Sequence, residues 1–147
     1  MVLTATLAAA CSNDSIFGGG GGGGGGGSGT PCPALALAPP VLLYPKPGAT
    51  SVPANLGILI LSNVGPLSGA VTLTTTGSTV AAGSFGPAPS PLPSGAATPQ
   101  PFATAQAASI PTLFASSTYS VNFTGNSPPG SSCGPIQAGG ALGTFST

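Results

Sequence analysis

Between Thr118 and Thr124 the chain reads Thr-Tyr-Ser-Val-Asn-Phe-Thr, so Tyr119, Val121 and Phe123 alternate with Ser120, Asn122 and Thr124. Successive side chains of a strand point to opposite faces, and this period of two predicts a strand with one face buried and the other wet. Just upstream, Leu113 stands five residues ahead of Thr118, across a stretch containing Ala115, Ser116 and Ser117. Those small residues let the chain turn a corner. A tyrosine opening the next strand can pin such a corner through its hydroxyl.

The chain after residue 31 can be hung on that strand. Val41–Tyr44 predicts a first strand, closed by a Pro- and Gly-rich stretch that runs to Asn55. Leu56–Leu61 is apolar at nearly every position, as in a strand covered on both sides or lying at a sheet centre, and Gly65-Pro66 ends it. Ala70–Thr76 alternates, and a turn at Gly77-Ser78 leads to Thr79–Ala82, a hairpin or sheet-edge pair. From Gly86 to Pro101, prolines 87, 89, 91, 93, 99 and 101 remove backbone donors at short intervals. That excludes a central strand and predicts an extended surface segment that covers an edge against strand-to-strand aggregation. A docking site for a proline-binding groove is the alternative. Phe102–Ile110 is a weak, alanine-rich strand, and after a loop from Gly125 to Gly140, Ala141–Thr147 closes the domain. The sum is an all-β fold, an immunoglobulin-like β-sandwich of about seven strands.

Charge decides several function classes. One Lys and one Asp make up 1% of the 147 residues, against ~25% in an average soluble protein. Lys46 alone cannot form the basic patch that neutralises phosphates, so nucleic acid is excluded as a partner. Electrostatic attachment to anionic lipid fails for the same reason. With no His and no Glu, and with Asp14 in the N-terminal segment, no side chain is placed to act as general base for the many Ser and Thr hydroxyls. The expectation is a protein that is not an enzyme and takes no cofactor. A zinc site lacks imidazoles and has too few thiols.

Met1–Ala10 is an apolar run that ends Thr-Leu-Ala-Ala-Ala before Cys11, followed by polar Ser12-Asn13-Asp14-Ser15. This resembles the end of a bacterial lipoprotein signal peptide, which implies lipidation at Cys11, export, and a membrane anchor in the cell envelope, on its periplasmic face or the cell surface. No Lys or Arg precedes Cys11, and the alternative is an ordinary N-terminus with a stray thiol. Gly18–Gly27 is an unbroken glycine run; with no side chain to bury, it predicts a flexible tether. A glycine-rich phosphate cradle would need a flanking strand, a helix and usually a Lys, none of which is present. The expected division is 1–11 for the signal-peptide remnant, 12–31 for the linker and 32–147 for the sandwich.

Tyr44-Pro45-x-Pro47-Gly48-Ala-Thr-Ser-Val52-Pro53-x-Asn55, then the Leu56–Leu61 strand, then Leu113, Thr118-Tyr119-x-Val121 and the closing Gly143-Thr-Phe145-x-Thr147, is similar to the bacterial Ig-like domains of the S-layer and surface-protein type. The resemblance spans roughly residues 43 to 147 and implies a spacer or adhesion module of an exported protein. If Cys11 carries lipid, Cys32 and Cys133 remain as a pair that an exported protein would join; two free thiols are the alternative. Two functions stay open: a structural or spacer module, and a binding module for a neutral glycan or an envelope protein, with Tyr44 beside Pro45 as the candidate exposed aromatic.

The scarcity of charge generates a first prediction. Stability depends on pH only where folded and unfolded chains bind different numbers of protons. The thermal midpoint should therefore stay nearly constant from pH 3 to mildly alkaline solution, and a steep fall between pH 7 and pH 3 in scanning calorimetry would contradict it.

Overall fold

The computed structural model describes residues 36–126 and 136–147, and within them all regular structure is β. Eight strands form two four-stranded antiparallel sheets. The first contains β2 (Val41–Tyr44), β3 (Ile58–Asn63), β6 (Phe85–Pro87) and β7 (Thr104–Ser109), in the order β2-β3-β7-β6. The second contains β4 (Ala70–Thr75), β5 (Ser78–Ala81), β8 (Thr118–Thr124) and β10 (Gly140–Ser146), in the order β10-β8-β4-β5. A short parallel pair, β1 (Ala36–Leu37) with β9 (Ile136–Gln137), stands apart from both. The chain switches sheet between β3 and β4, between β5 and β6, and between β7 and β8. That Greek-key path and strand order are those of an immunoglobulin-like sandwich.

The alternating strand occupies the middle of its sheet. Tyr119, Val121 and Phe123 are buried while the residues between them are not, and β10 and β4 flank β8 on its two edges. Its inner face meets Leu42, Leu59 and Leu61 of the other sheet together with Val71, Leu73 and Phe145. Burying each of these side chains contributes ~1.5–3 kcal/mol relative to leaving it in water. The Tyr119 and Phe145 rings stack at 5.6 Å between centroids, and Phe85 meets Phe123 at 6.5 Å.

The corner forms as expected. Phe114 N donates to the Tyr119 hydroxyl at 2.7 Å, and Thr147 Oγ1 donates to Phe114 O at 2.7 Å. Leu113 is buried in the core just before the turn, and its N–H reaches Ala54 O at 2.8 Å. The last and first residues of the body are thus drawn to opposite ends: Thr147 lies beside the corner, whereas Ala36 pairs beside the end of β8 where Asn126 bridges Gln137.

Several boundaries move, each for a local reason. The apolar strand begins at Ile58 rather than Leu56, because Leu56 N closes a turn on Pro53 O and Gly57 takes a φ of 76°. It then runs on through Ser62 and Asn63, polar but buried, because the ladder with β7 continues to Thr104. The hairpin turn falls on Thr76-Gly77, one residue earlier than expected, with Thr75 opposite Ser78 and Gly77 at φ 76°. The alanine-rich strand starts at Thr104, so Phe102 lies outside it.

The proline-rich stretch does more than cover an edge. On the outer face of the β2-β3-β7-β6 sheet, Leu43 and Ile60 are fully buried although neither belongs to the inner core. The chain leaves that sheet at β6, one edge, and Ala97 N donates to Leu43 O (2.8 Å) on β2, the other edge, before the chain returns to β7. Three inter-strand steps separate those edges, ~14 Å. With the inner face filled by the second sheet, the crossing runs over the outer face and forms a partial third layer. Leu92, Pro93, Ala96, Ala97 and Pro99 are half-buried within it. This is why Ile60, in a strand apolar on both faces, is dry.

Replacing Tyr119 with Phe keeps the ring and removes only the bond that closes the corner, leaving Phe114 N–H unpaired. The expected loss is ~1–3 kcal/mol in urea unfolding; stability equal to the parent's would show that the corner does not depend on that hydroxyl.

Candidate functional site

Sandwich strands leave their connecting loops at two poles. At one pole lie the corner at 111–117, the 45–57 segment and Thr147. At the other lie the β3–β4 loop (64–69), the end of the β6–β7 crossing (98–103) and the residues around Asn126 and Gln137. Loops held by a rigid body are where binding residues concentrate.

The second pole is organised by side-chain amides. Gln106 reaches from β7 into the 64–69 loop, where its Nε2 donates to Gly65 O at 3.2 Å and its Oε1 accepts from Leu67 N at 3.3 Å. Asn63 Nδ2 also approaches Gly65 O (3.5 Å), and Thr104 Oγ1 donates to Asn63 O at 3.3 Å. From the other sheet, Asn126 Nδ2 donates to Ser68 Oγ at 3.2 Å, and Ser68 N lies 3.5 Å from Gln137 Oε1. Gln137 is only 3% exposed, and its Nε2 has no hydrogen-bond partner. Leu67, held by Gln106, plugs this end of the core. Gly69, at φ 154°, passes so close to the Phe123 ring that a Cβ there would lie 2.7 Å from Cζ. The loop is therefore pinned at both ends and at its centre, without an ion pair.

The sequence-derived candidates lie elsewhere. Tyr44 is the last residue of β2, directed away from the amide pole along the strand; it is half-buried and sits opposite Ile60. The exposed aromatic rings are Phe102, at 96% exposure, and Phe114 at the corner. Phe102 follows Pro101 at the amide pole, and Val64, 61% exposed, lies in the loop that Gln106 holds there. Neither carried a periodic signal. The one cue in the sequence was Pro101 directly before an aromatic, a turn signature rather than a strand start. Cys11, Cys32 and Cys133 lie outside the described residues.

Gln106→Leu should loosen the 64–69 loop while leaving the β3–β7 ladder in place. Faster amide hydrogen exchange at Leu67, with a stability loss of ~1–3 kcal/mol, is the expected result; unchanged exchange there would remove the amide from its role. No family model, curated protein or solved structure matches the chain.

Proposed function

We propose that the chain is a non-catalytic, exported lipoprotein of the cell envelope, anchored through lipid at Cys11, whose immunoglobulin-like sandwich acts as a structural or spacer module. The observation that carries this reading is the path of the chain. β1 lies at the amide pole, and the closing strand β10 runs to the opposite pole, where Thr147 N bonds Ser117 O at 3.0 Å. The seven-residue β8 spans the distance between, about 23 Å at ~3.3 Å per residue. A body threaded from pole to pole holds its entry and exit points apart. A hydroxyl-rich body whose one ionic side chain is Lys46 offers no acid or base for chemistry.

The other two thiols are proposed to pair. Both precede the two strands that lie against each other, since Ala36 is opposite Ile136, and Cys32 stands four residues before the first and Cys133 three before the second. A bond there would fasten the chain where it joins the sandwich. The alternative function, a binding module for a neutral glycan or an envelope protein, draws on the exposed Val64 and Phe102.

Mass spectrometry of the membrane fraction under non-reducing conditions tests the proposal. The expected products are an acylated N-terminal peptide beginning at Cys11 and a linked pair of peptides containing Cys32 and Cys133. A free, unmodified thiol at residue 11 in membrane-associated protein would sink the anchor.

A further inference from the structure

The turn that ends the β6–β7 crossing is occupied by a residue its backbone does not favour. Ala103 N donates to Gln100 O at 3.1 Å, closing a four-residue turn with Pro101 and Phe102 at its centre, and Phe102 has a φ of 63°. Turns with Pro at the first central position and a positive φ at the second take Gly or Asn there, because a Cβ is crowded in that region. Of the non-glycine residues described with positive φ, Ser51 and Ser116 are small and polar. Phe102 combines the strained backbone with a ring that is 96% exposed. The isolated domain would be better served by glycine on both counts, and strain of this kind is a pointer to function.

Its surroundings identify the partner. Asn63 pairs with Thr104, so Val64 and Phe102 lie one and two residues beyond the same rung of the β3–β7 ladder, at one pole of the body. Val41, also partly exposed, opens β2 opposite Ser62 close by. Neither the 64–69 loop nor residues 98–103 contain an ionisable side chain, and Lys46 follows the far end of β2. A single exposed ring suits a soft, deformable apolar layer, and the exposed amides of Gln100 and Asn126 suit the hydrated headgroups beside it. The 35 residues that precede Ala36 join the body at this same pole, with Cys11 lying 25 positions earlier. A Gly-rich chain of that length has a root-mean-square reach of ~25–30 Å, which brings this pole to a bilayer that holds Cys11.

We infer that Phe102, flanked by Val64, is a membrane-inserting tip that seats the amide pole of the sandwich on the uncharged interfacial layer of a lipid bilayer. The inference deepens the lipoprotein reading and rests on it for the orientation of the body; insertion of the ring does not require the acyl chain. Because no basic residue takes part, binding is insensitive to salt and to the fraction of anionic lipid.

The experiment uses the full chain carrying Cys11→Ser, so that lipidation plays no part, with phosphatidylcholine vesicles as the probe. The chain contains no Trp, so Phe102→Trp supplies the sole indole. Its emission should shift to the blue on adding vesicles and be quenched by brominated acyl chains, equally at low and high salt. Phe102→Gly should lower vesicle affinity on the order of tenfold and raise the thermal midpoint, since glycine accepts the positive φ. Those opposed changes separate lost insertion from lost folding, and any binding by Met1–Ala10 is common to both proteins. Unmoved tryptophan emission, or Phe102→Gly binding as tightly as its parent, overturns the inference. Release from the cell membrane fraction is read separately, by comparing Cys11→Ser with the natural sequence in cells; if both fractionate alike, the anchor fails while the tip stands.

Discussion

A body whose one ionic side chain is Lys46 can satisfy its buried polar groups only with neutral partners. That constraint runs through both poles. At the corner, the Tyr119 hydroxyl takes the Phe114 N–H, Thr147 Oγ1 accepts from Ser117 N at 3.1 Å, and the Thr118 and Ser146 hydroxyls meet at 2.9 Å. At the other pole, Gln106, Asn63 and Asn126 hold a loop that lacks any regular ladder. Each such bond adds only ~0.5–1.5 kcal/mol net, but leaving its buried partner unmade costs more. Their value lies in fixing geometry. Unlike exposed ion pairs, they are not screened by salt.

The same scarcity of charge shapes the sheet faces. Edges and outer faces of sandwiches are commonly protected by lysine and other charges, and here that device is missing. The sheet containing β3 is shielded instead by backbone: the proline-rich crossing lies over Leu43 and Ile60, and its Ala97 N–H occupies Leu43 O at the edge. Proline suits this task because a segment short of N–H groups cannot itself recruit another strand. On the other sheet the edge strand β10 is occupied in a similar way, since Gly48 N bonds Thr144 O at 2.7 Å and Ser146 N bonds Ala49 O at 2.9 Å.

Elements with a full period of alternation were legible from the residues alone. Tyr119-x-Val121-x-Phe123 and Val71-x-Leu73 declare their buried faces, and the small residues before Tyr119 declare the corner that its hydroxyl closes. The β1–β9 pair was not legible, because two residues per strand carry no period. Nor was the third layer, since prolines exclude a ladder without saying which face they cover. At the candidate site the gap is wider. Gln106 sits in a weak alanine-rich run, and its role depends on a loop 39 residues away in the chain. Phe102 reads as the start of a strand until the turn from Gln100 is seen. Tyr44, an aromatic beside proline, reads as an exposed ring, but it pairs with Ile60 in the sheet and is half withdrawn from solvent.

The two poles are unlike, and a passive spacer gives no reason for them to differ. The corner pole is locked by Tyr119 and Thr147, and its exposed ring, Phe114, belongs to the residue whose N–H and carbonyl both enter that lock. The amide pole presents an exposed Val64 and an exposed Phe102, the latter on a turn that would accept glycine more readily. It is also the pole where the chain joins the body. Under the proposed anchoring, the module then has a foot and a head: the apolar turn meets the lipid surface, the long axis of β8 points away from it, and Thr147 lies at the distal end. A body seated in this way sets a defined height above the bilayer, which a lipid anchor on an unstructured tether would not do, because the end of any such tether samples all distances within its reach.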